Sequence, residues 1–554
     1  MTSTPRFADA PARPTSDARP ASALGEPSPT ERAIANLPRH LRRYVVAQDY
    51  DAYTPREHAV WRHILRRLAA HLSDKAHASY LAGLAATGIG LEAIPSLDTM
   101  NEKLATIGWS CVGVRGFIPP AVFTELQARG VLAIAADIRS HEHIAYTPAP
   151  DIVHESAGHA PILADTRYAN YLRRCGEVGF RAIASIEDEA VFRAIRTLSV
   201  VKEDPSASPE DVAHAEAHLV AASASRRYVS ENTKASRLYW WTAEYGLVGS
   251  LAAPKLYGAG LLSSLGEASH CLTDAVEKLP LDVTCVDRDY DITRMQPQLF
   301  VARDFAHLDE VLAEFEETLA FRRGGDFGLR EALRARATTH VVTVDADGQR
   351  REITGRVAEV DFPAEPTSSP LEASGLTARF ARLEGPILVS SDYRALGAPR
   401  ATEALIFFGE ARLPARGAFD VSLGNGVRVA GFLAGQNEVV DLRVWFQAEP
   451  VVAPSVALVF FAVAVPSVAG GPSDPGAWDD AFGALDAFAS GDAEERARAS
   501  KAASLPVDLA KAYAAVRRAR AAGEAEVGGL DALLQRYPNE WLLREELAEL
   551  RARS

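Results

Sequence analysis

Hydrophobic positions change their period along this chain, and the changes divide it. Over residues 1–30, Pro, Ala, Ser and Thr dominate with few apolar anchors, which predicts a disordered tail. From Arg56 a helical period sets in: Trp61, Leu65, Leu68 and Leu72 share one face, while Arg62, Arg66 and Arg67 fall largely elsewhere. Arg322-Arg323-Gly324-Gly325-Asp326-Phe327-Gly328 looks like a linker. From 339 to about 469, short β-branched runs alternate with turns. Val341-Val342-Thr343-Val344, a turn through Asp347-Gly348 and then Arg351-Glu352-Ile353-Thr354 predict a hairpin. The longest apolar run, 456–465, ends at Pro466; it is too short to span a bilayer and reads as a buried strand. After a glycine-rich stretch at 470–476, Ala, Glu and Arg predict helices up to Leu550. The expected organisation is a tail over 1–30, a first ordered region over 31–325, a β-rich domain over 336–470 and a helical segment over 477–554.

Length and charge agree with that division. A chain of 554 residues exceeds the usual size of one core, so two or three domains are expected. With 47% hydrophobic residues and a net charge of −14, the chain reads as soluble and globular, without the basic stripe that nucleic acid would need. No apolar run suits a secretory signal or a membrane span. Cys111, Cys175, Cys271 and Cys285 are widely spaced, which suits reduced thiols in a cytoplasm. The β-rich domain has no His/Cys cluster and no evident nucleophile. An interaction with a protein partner, self-association or a structural role therefore outweighs a second activity there.

Chemistry concentrates in Asp151-Ile152-Val153-His154-Glu155-Ser156-Ala157-Gly158-His159-Ala160-Pro161. The two histidines are five apart, which on an ideal helix at about 100° per residue separates them by roughly 140°. Both can reach one metal only if the helix ends or distorts near Gly158, and Pro161 forbids a clean continuation. Glu155, beside His154, is expected to point away from any metal that His154 holds. A third donor is offered by Glu244, alone among Tyr239, Trp240, Trp241 and Tyr245, where a buried acid is costly unless paired or coordinating. Two imidazoles and one carboxylate on one face make a non-haem Fe(II) site with positions open to dioxygen and substrate. The bland alternative is a helix end with two partly buried histidines. His214 and His218, four apart on a predicted helix, form a rival pair with no third donor nearby and read as helix surface.

These runs, with Tyr257-Gly258-Ala259-Gly260-Leu261-Leu262-Ser263-Ser264-Leu265-Gly266-Glu267, occur in the order found in the pterin-dependent aromatic amino acid hydroxylases, which roughly half the chain resembles. The resemblance implies a mainly α catalytic domain of the aromatic amino acid hydroxylase type with short strands, here followed by the β-rich domain and the helical C-terminal segment. It implies Fe(2+) held by His154, His159 and Glu244, with a tetrahydropterin and O2 as co-substrates. Phe123, Ile118 and Glu155 would contact the pterin. Arg139, Tyr146, Thr147, Asp151, Trp240, Gly260 and Ser263 would line or support the amino acid site. In that set Arg139 takes the substrate carboxylate with Asp151 behind it, and Ser263 steadies a metal-bound imidazole. Trp240 matches members acting on phenylalanine or tyrosine, and Ile292 falls where those acting on tyrosine carry an acid. Conversion of phenylalanine to tyrosine is the activity that neither position opposes. The alternatives are hydroxylation of tryptophan, hydroxylation of phenylalanine at another ring position, and, in a different class, a metal-stabilised binding protein with Cys175 as a nearby thiol.

Overall fold

Helix Pro55–Leu72 begins where Thr54 and Glu57 close a capping box and Pro55 supplies a preset φ in the first turn. Its apolar face is buried as the periodicity predicts, with Trp61, Leu65 and Leu68 fully inside. The side carrying Arg62 is buried as well, because the far end of the chain packs on it. Leu509, Tyr513, Val516, Leu542, Leu543 and Leu547, from helices Val507–Ala522 and Trp541–Arg551, belong to the same core as Trp61. Arg62 is only 4% exposed and holds Glu546 through two hydrogen bonds of 2.9 and 2.6 Å. Arg520 Nε donates to the same carboxylate at 3.1 Å. The helical segment expected at the C-terminus is thus built into the first core. Periodicity alone placed Arg62 off the packed face, since the covering helices lie more than 400 residues further along the chain.

The computed structural model describes residues 26–482 and 505–552, except 142–143, 145–150, 204–206, 293, 337–338, 347, 364–370, 372–373, 398–400, 447–449 and 453–455. Tyr146 and Thr147 lie outside the described residues, as does the tail before residue 26. The last residues of the expected tail enter helix Pro29–Asn36, which Ser28 and Glu31 cap. Around the first core, helices are joined by two small sheets. Strands Ser110–Val114 and Val131–Ala135 pair in parallel, with helix Pro120–Ala128 between them in sequence. A second sheet runs Ala253–Leu256, Leu247–Ser250, Gln298–Ala302, Glu277–Pro280. Among the described residues, no helix is long and apolar enough to cross a membrane.

The stretch read as a linker is helical instead, forming Ala320–Arg323 and Gly325–Ala335. Gly324 and Gly325 both have positive φ, 58° and 54°, and a Cβ on either would meet a carbonyl oxygen, of Pro466 or Gly375. The glycine pair therefore marks a sharp bend in close contact with the next sheet. Strands His340–Ala346 and Gln349–Asp361 form the expected hairpin, with Gly348 at φ 72° in its turn. Phe380–Ser391, Ala401–Phe408 and Val456–Ala462 follow side by side, and Ala462 pairs back to Ala346 so that the sheet closes on itself. The 456–465 run supplies one of these buried strands, with Val459, Phe460 and Phe461 inside. Val342, Ile353, Leu383, Ile406 and Phe460 fill one side together with Leu329 and Ala332 from the preceding helix.

Because the buried Arg62 would be left without its carboxylate and Arg520 would keep only Glu549, Glu546→Ala is expected to destabilise the protein by about 3–5 kcal/mol. A lowered melting temperature, with early proteolytic release of the C-terminal helices, checks it.

Candidate metal centre

The chain solves the five-residue histidine spacing with an uncommon helix. Val153–His159 is a π-helix that tightens into a 3-10 turn at Ala160–Ala164, where Pro161 sits in the first turn. A π-turn closes i to i+5, so side chains five apart come onto one face. The His154 and His159 ring centroids are 5.0 Å apart. Gly158 is required at this bend, because a Cβ there would lie 2.7 Å from the Ala259 carbonyl oxygen. A second π-turn, Trp240–Glu244, delivers the carboxylate. Glu244 Oε2 lies 3.2 Å from His154 Nε2, and Glu244 Oε1 lies 3.1 Å from His159 Nε2.

Hydrogen bonding around His154 sets which nitrogen faces the carboxylate. Ser263 Oγ donates to Ala259 O at 2.7 Å, so it accepts from His154 Nδ1 at 3.0 Å. The lone pair of His154 Nε2 is then turned toward Glu244. Burial opposes ionisation of Glu244, yet His159 and His154, when protonated, together hold its carboxyl far below the usual range. Donors about 2.1 Å from a shared ion and at right angles to one another would stand roughly 3 Å apart, which the two observed spacings match. The donor set therefore fits a divalent ion of the first transition row. His159 Nδ1 is buried without a hydrogen-bond partner among the described residues.

Glu155 departs from expectation. The wider turn leaves it near the histidines, with donor atoms of His154, Glu155 and His159 all within 4.8 Å of one another. Burial pushes its carboxyl up to about 8, with the Glu244 charge adding to the effect and His159 opposing it. Glu244 is the closer carboxylate to both rings.

Arg139 and Asp151 form a buried pair, with side chains 2% and 5% exposed, so an ordinary surface ion pair is excluded. Arg139 Nε and Nη2 donate to Asp151 at 2.8 and 2.7 Å, and Arg139 Nη1 donates to the Ser263 carbonyl at 3.2 Å. Asp151 also accepts from the backbone N–H of His154 at 3.1 Å. The expected substrate-side residues Arg139, Asp151 and Ser263 are thus tied directly to the histidine turn.

The aromatic residues meet as a layered wall. Trp240 stacks between Tyr245 at 4.6 Å and Tyr290 at 4.2 Å, the latter nearly parallel at 9°. Tyr290 carries no local signal in the sequence; only the fold brings it here. Phe123 meets Tyr239 edge-on at 5.7 Å, and Tyr239 in turn lies 6.4 Å from the His159 ring. Gln127 donates to the Tyr239 hydroxyl at 2.5 Å. Ile118 and Phe123 are partly buried against Val112, Val114, Val122 and Leu126. Gly260 has a structural reason of its own, since a Cβ there would strike the Tyr245 ring and the Glu244 carbonyl. Outside the centre, His214 and His218 are exposed on helix Pro209–Ala224 and belong to no cluster of three metal-ligating side chains among the described residues.

The family model for the biopterin-dependent aromatic amino acid hydroxylases matches residues 43–197 and 214–326. Phenylalanine-4-hydroxylase of Mesorhizobium japonicum is 30% identical over 286 residues, covering 50% of this chain and 87% of that protein. The chain belongs to the biopterin-dependent aromatic amino acid hydroxylase family. Phenylalanine-4-hydroxylase of Pseudomonas aeruginosa is likewise 30% identical, over 49% of this chain and 89% of its own length. A crystal structure of Chromobacterium violaceum phenylalanine hydroxylase with bound iron(III) and 7,8-dihydrobiopterin is 26% identical, covers 54% of this chain and 94% of its own, and superposes with a TM-score of 0.40. In this hydroxylase the matched residues contain both π-turns and the Ser263 loop.

Removing the hydroxyl that orients His154 is expected to weaken metal binding without unfolding the protein. Ser263→Ala should lower metal affinity about 10–100-fold, measured by competition with a chelator.

Proposed function

We propose that this protein hydroxylates the ring of phenylalanine to give tyrosine, using a tetrahydropterin and O2, with one Fe(II) held by His154, His159 and Glu244. One observation carries the proposal: Glu244, from a distant stretch of chain, presents one oxygen to each imidazole at 3.2 and 3.1 Å. When bound, the iron and the pterin supply the activation of dioxygen that no side chain can perform.

The residues of the chain bind, orient and exclude water. Three of the five N–H groups of the Arg139 guanidinium are engaged by Asp151 and Ser263. The remaining two have no acceptor among the described residues and are proposed for the substrate carboxylate, with the buried Asp151 keeping the fork from turning. Burial works against the charge of Asp151, but Arg139 holds its carboxyl below the usual range. Trp240, its two faces covered by Tyr245 and Tyr290, has only its edge left to meet an aromatic ring. Ile292 is the apolar side chain where an acid would favour a hydroxylated ring. Phe123, Ile118 and Glu155 are the proposed pterin contacts, with Tyr239 bridging Phe123 to His159. Tyr146, Thr147 and Gly260 complete the proposed substrate side.

The proposed organisation keeps a hydroxylase region over 31–325, a β-rich domain over 336–470 serving a protein partner or self-association, and a helical segment over 477–554. Four free, buried cysteines fit a reducing compartment, and the cytoplasm is the proposed location.

Iron-loaded protein supplied with a reduced pterin and oxygen is expected to form tyrosine from phenylalanine faster than it oxidises tryptophan or tyrosine, with products resolved by chromatography. Glu244→Ala should lose both iron and turnover. Arg139→Ala should keep its iron and raise KM about 10–100-fold, the size of a lost charge-assisted pair of hydrogen bonds. Stoichiometric zinc with no pterin-dependent oxidation of any aromatic amino acid would favour the binding-protein alternative instead.

A further inference from the structure

The C-terminal helices reach the approach to the metal centre as well as the core. Glu540, at the start of helix Trp541–Arg551, makes no cap to its own helix through its side chain. It is turned inward, with its side chain 7% exposed, and accepts from Arg56 Nη2 at 2.7 Å. The Tyr513 hydroxyl donates to its other oxygen at 3.5 Å. The same Arg56 nitrogen lies 2.7 Å from His141 Nδ1 and 2.5 Å from His141 Nε2, and Glu540 Oε1 is 3.8 Å from the latter. Arg56 Nη2 is thus in direct contact with the His141 ring. His141 is two residues from Arg139, on the segment that runs from strand Val131–Ala135 to the histidine turn. Tyr53, before helix Pro55–Leu72, and Ile152, at the start of the histidine turn, hold that segment elsewhere too. The Tyr53 hydroxyl donates to the Ala136 carbonyl at 2.5 Å, and the Asp137 carbonyl accepts from Ile152 N at 2.9 Å.

We propose that Glu540 is a positioning residue of the amino acid site: it holds Arg56 against His141 and so fixes the segment that presents Arg139. This rests on the reading of Arg139 as the carboxylate anchor. A helix encoded more than 200 residues beyond the family-matched region thereby becomes a working part of the hydroxylase site. The arrangement is suited to transmit strain. Arg56 Nη2 bridges the buried Glu540 carboxylate and the His141 ring, and Arg139 must sit within a fraction of an ångström of its place to hold a substrate carboxylate productively. Loss of Glu540 would leave Arg56 partly buried without its counter-charge, free to swing away from His141.

Point substitutions in the full chain test this, because deleting residues 505–552 would strip Leu509, Tyr513, Leu542 and Leu543 from the core. Glu540→Ala is expected to raise KM for phenylalanine about five- to tenfold with kcat within about twofold and iron content unchanged. Amide exchange across residues 136–141 should quicken at the same time. Glu540→Gln, which keeps one acceptor for Arg56, should restore much of the loss. Arg56→Ala should raise KM similarly, and the double variant should be no worse than either single one. Glu545→Ala, on the same helix but facing His63 and Arg67, should leave KM unchanged. A lowered melting temperature with KM untouched in Glu540→Ala, or KM effects of the two single variants that multiply, would overturn the proposal. Arg139→Ala separates the two levels. If it raises KM while Glu540→Ala does not, only the role of Glu540 falls; if it leaves KM unchanged, the anchor and the positioning role fall together. Calorimetry of phenylalanine binding to the iron-loaded protein gives the same comparison without turnover.

Discussion

The rest of the structure depends on bringing one carboxylate between two imidazoles inside a packed core. Glu244, His154 and His159 present lone pairs to a common point, an arrangement that repels itself unless a cation or shared protons occupy it. Such a cluster cannot be held by local helix geometry. Two π-turns aim the side chains, Ser263 fixes the ring of His154, and Gly158 and Gly260 remove the Cβ atoms that would keep the Ala259 and Glu244 backbones apart. Each of these features costs something in isolation. The π-turn forgoes better hydrogen-bond geometry, glycine adds disorder to the unfolded chain, and a buried carboxylate resists ionisation. All three are repaid at one point in space.

The same logic extends one layer outward. Asp151 joins the Arg139 guanidinium to the backbone of His154, so the group proposed to bind the amino acid and the group proposed to bind metal share a rigid carboxylate. Trp240 lies in a similar position on the other side. It follows Tyr239, whose ring leans toward His159, and it is pinned by Tyr245 and Tyr290. With Trp240 stacked on both faces, its ring has little freedom left to lose when a ligand enters.

Charge also explains why the far C-terminus belongs to the first core. Arg62 and Arg520 share Glu546, Arg56 faces Glu540, and apolar side chains from Leu509 to Leu547 surround the pairs. Breaking one member of such a set is costly, because the remaining charge stays buried. The β-rich domain lies between the two parts in sequence and carries its own core, closed by the pairing of Ala462 with Ala346. It shares the bend at Gly324 and Gly325 with the region before it.

By itself the sequence determined the apolar face of helix Pro55–Leu72, the hairpin turning at Gly348, the buried strand Val456–Ala462, and the need for a distortion at Gly158. Each follows from neighbours within a few residues, where periodicity, turn chemistry and sterics act. It also singled out Glu244, because an acid among aromatics raises a local question that burial must answer. Only the tertiary structure decided that the distortion is a π-turn leaving Glu155 close to both histidines, that the glycines at 324 and 325 join two helices instead of forming a linker, and that Arg62 is buried. It alone placed Tyr290 on Trp240 and Glu540 on Arg56. Those outcomes depend on which surfaces meet across hundreds of residues, and pairing of that kind leaves no periodic trace along the chain.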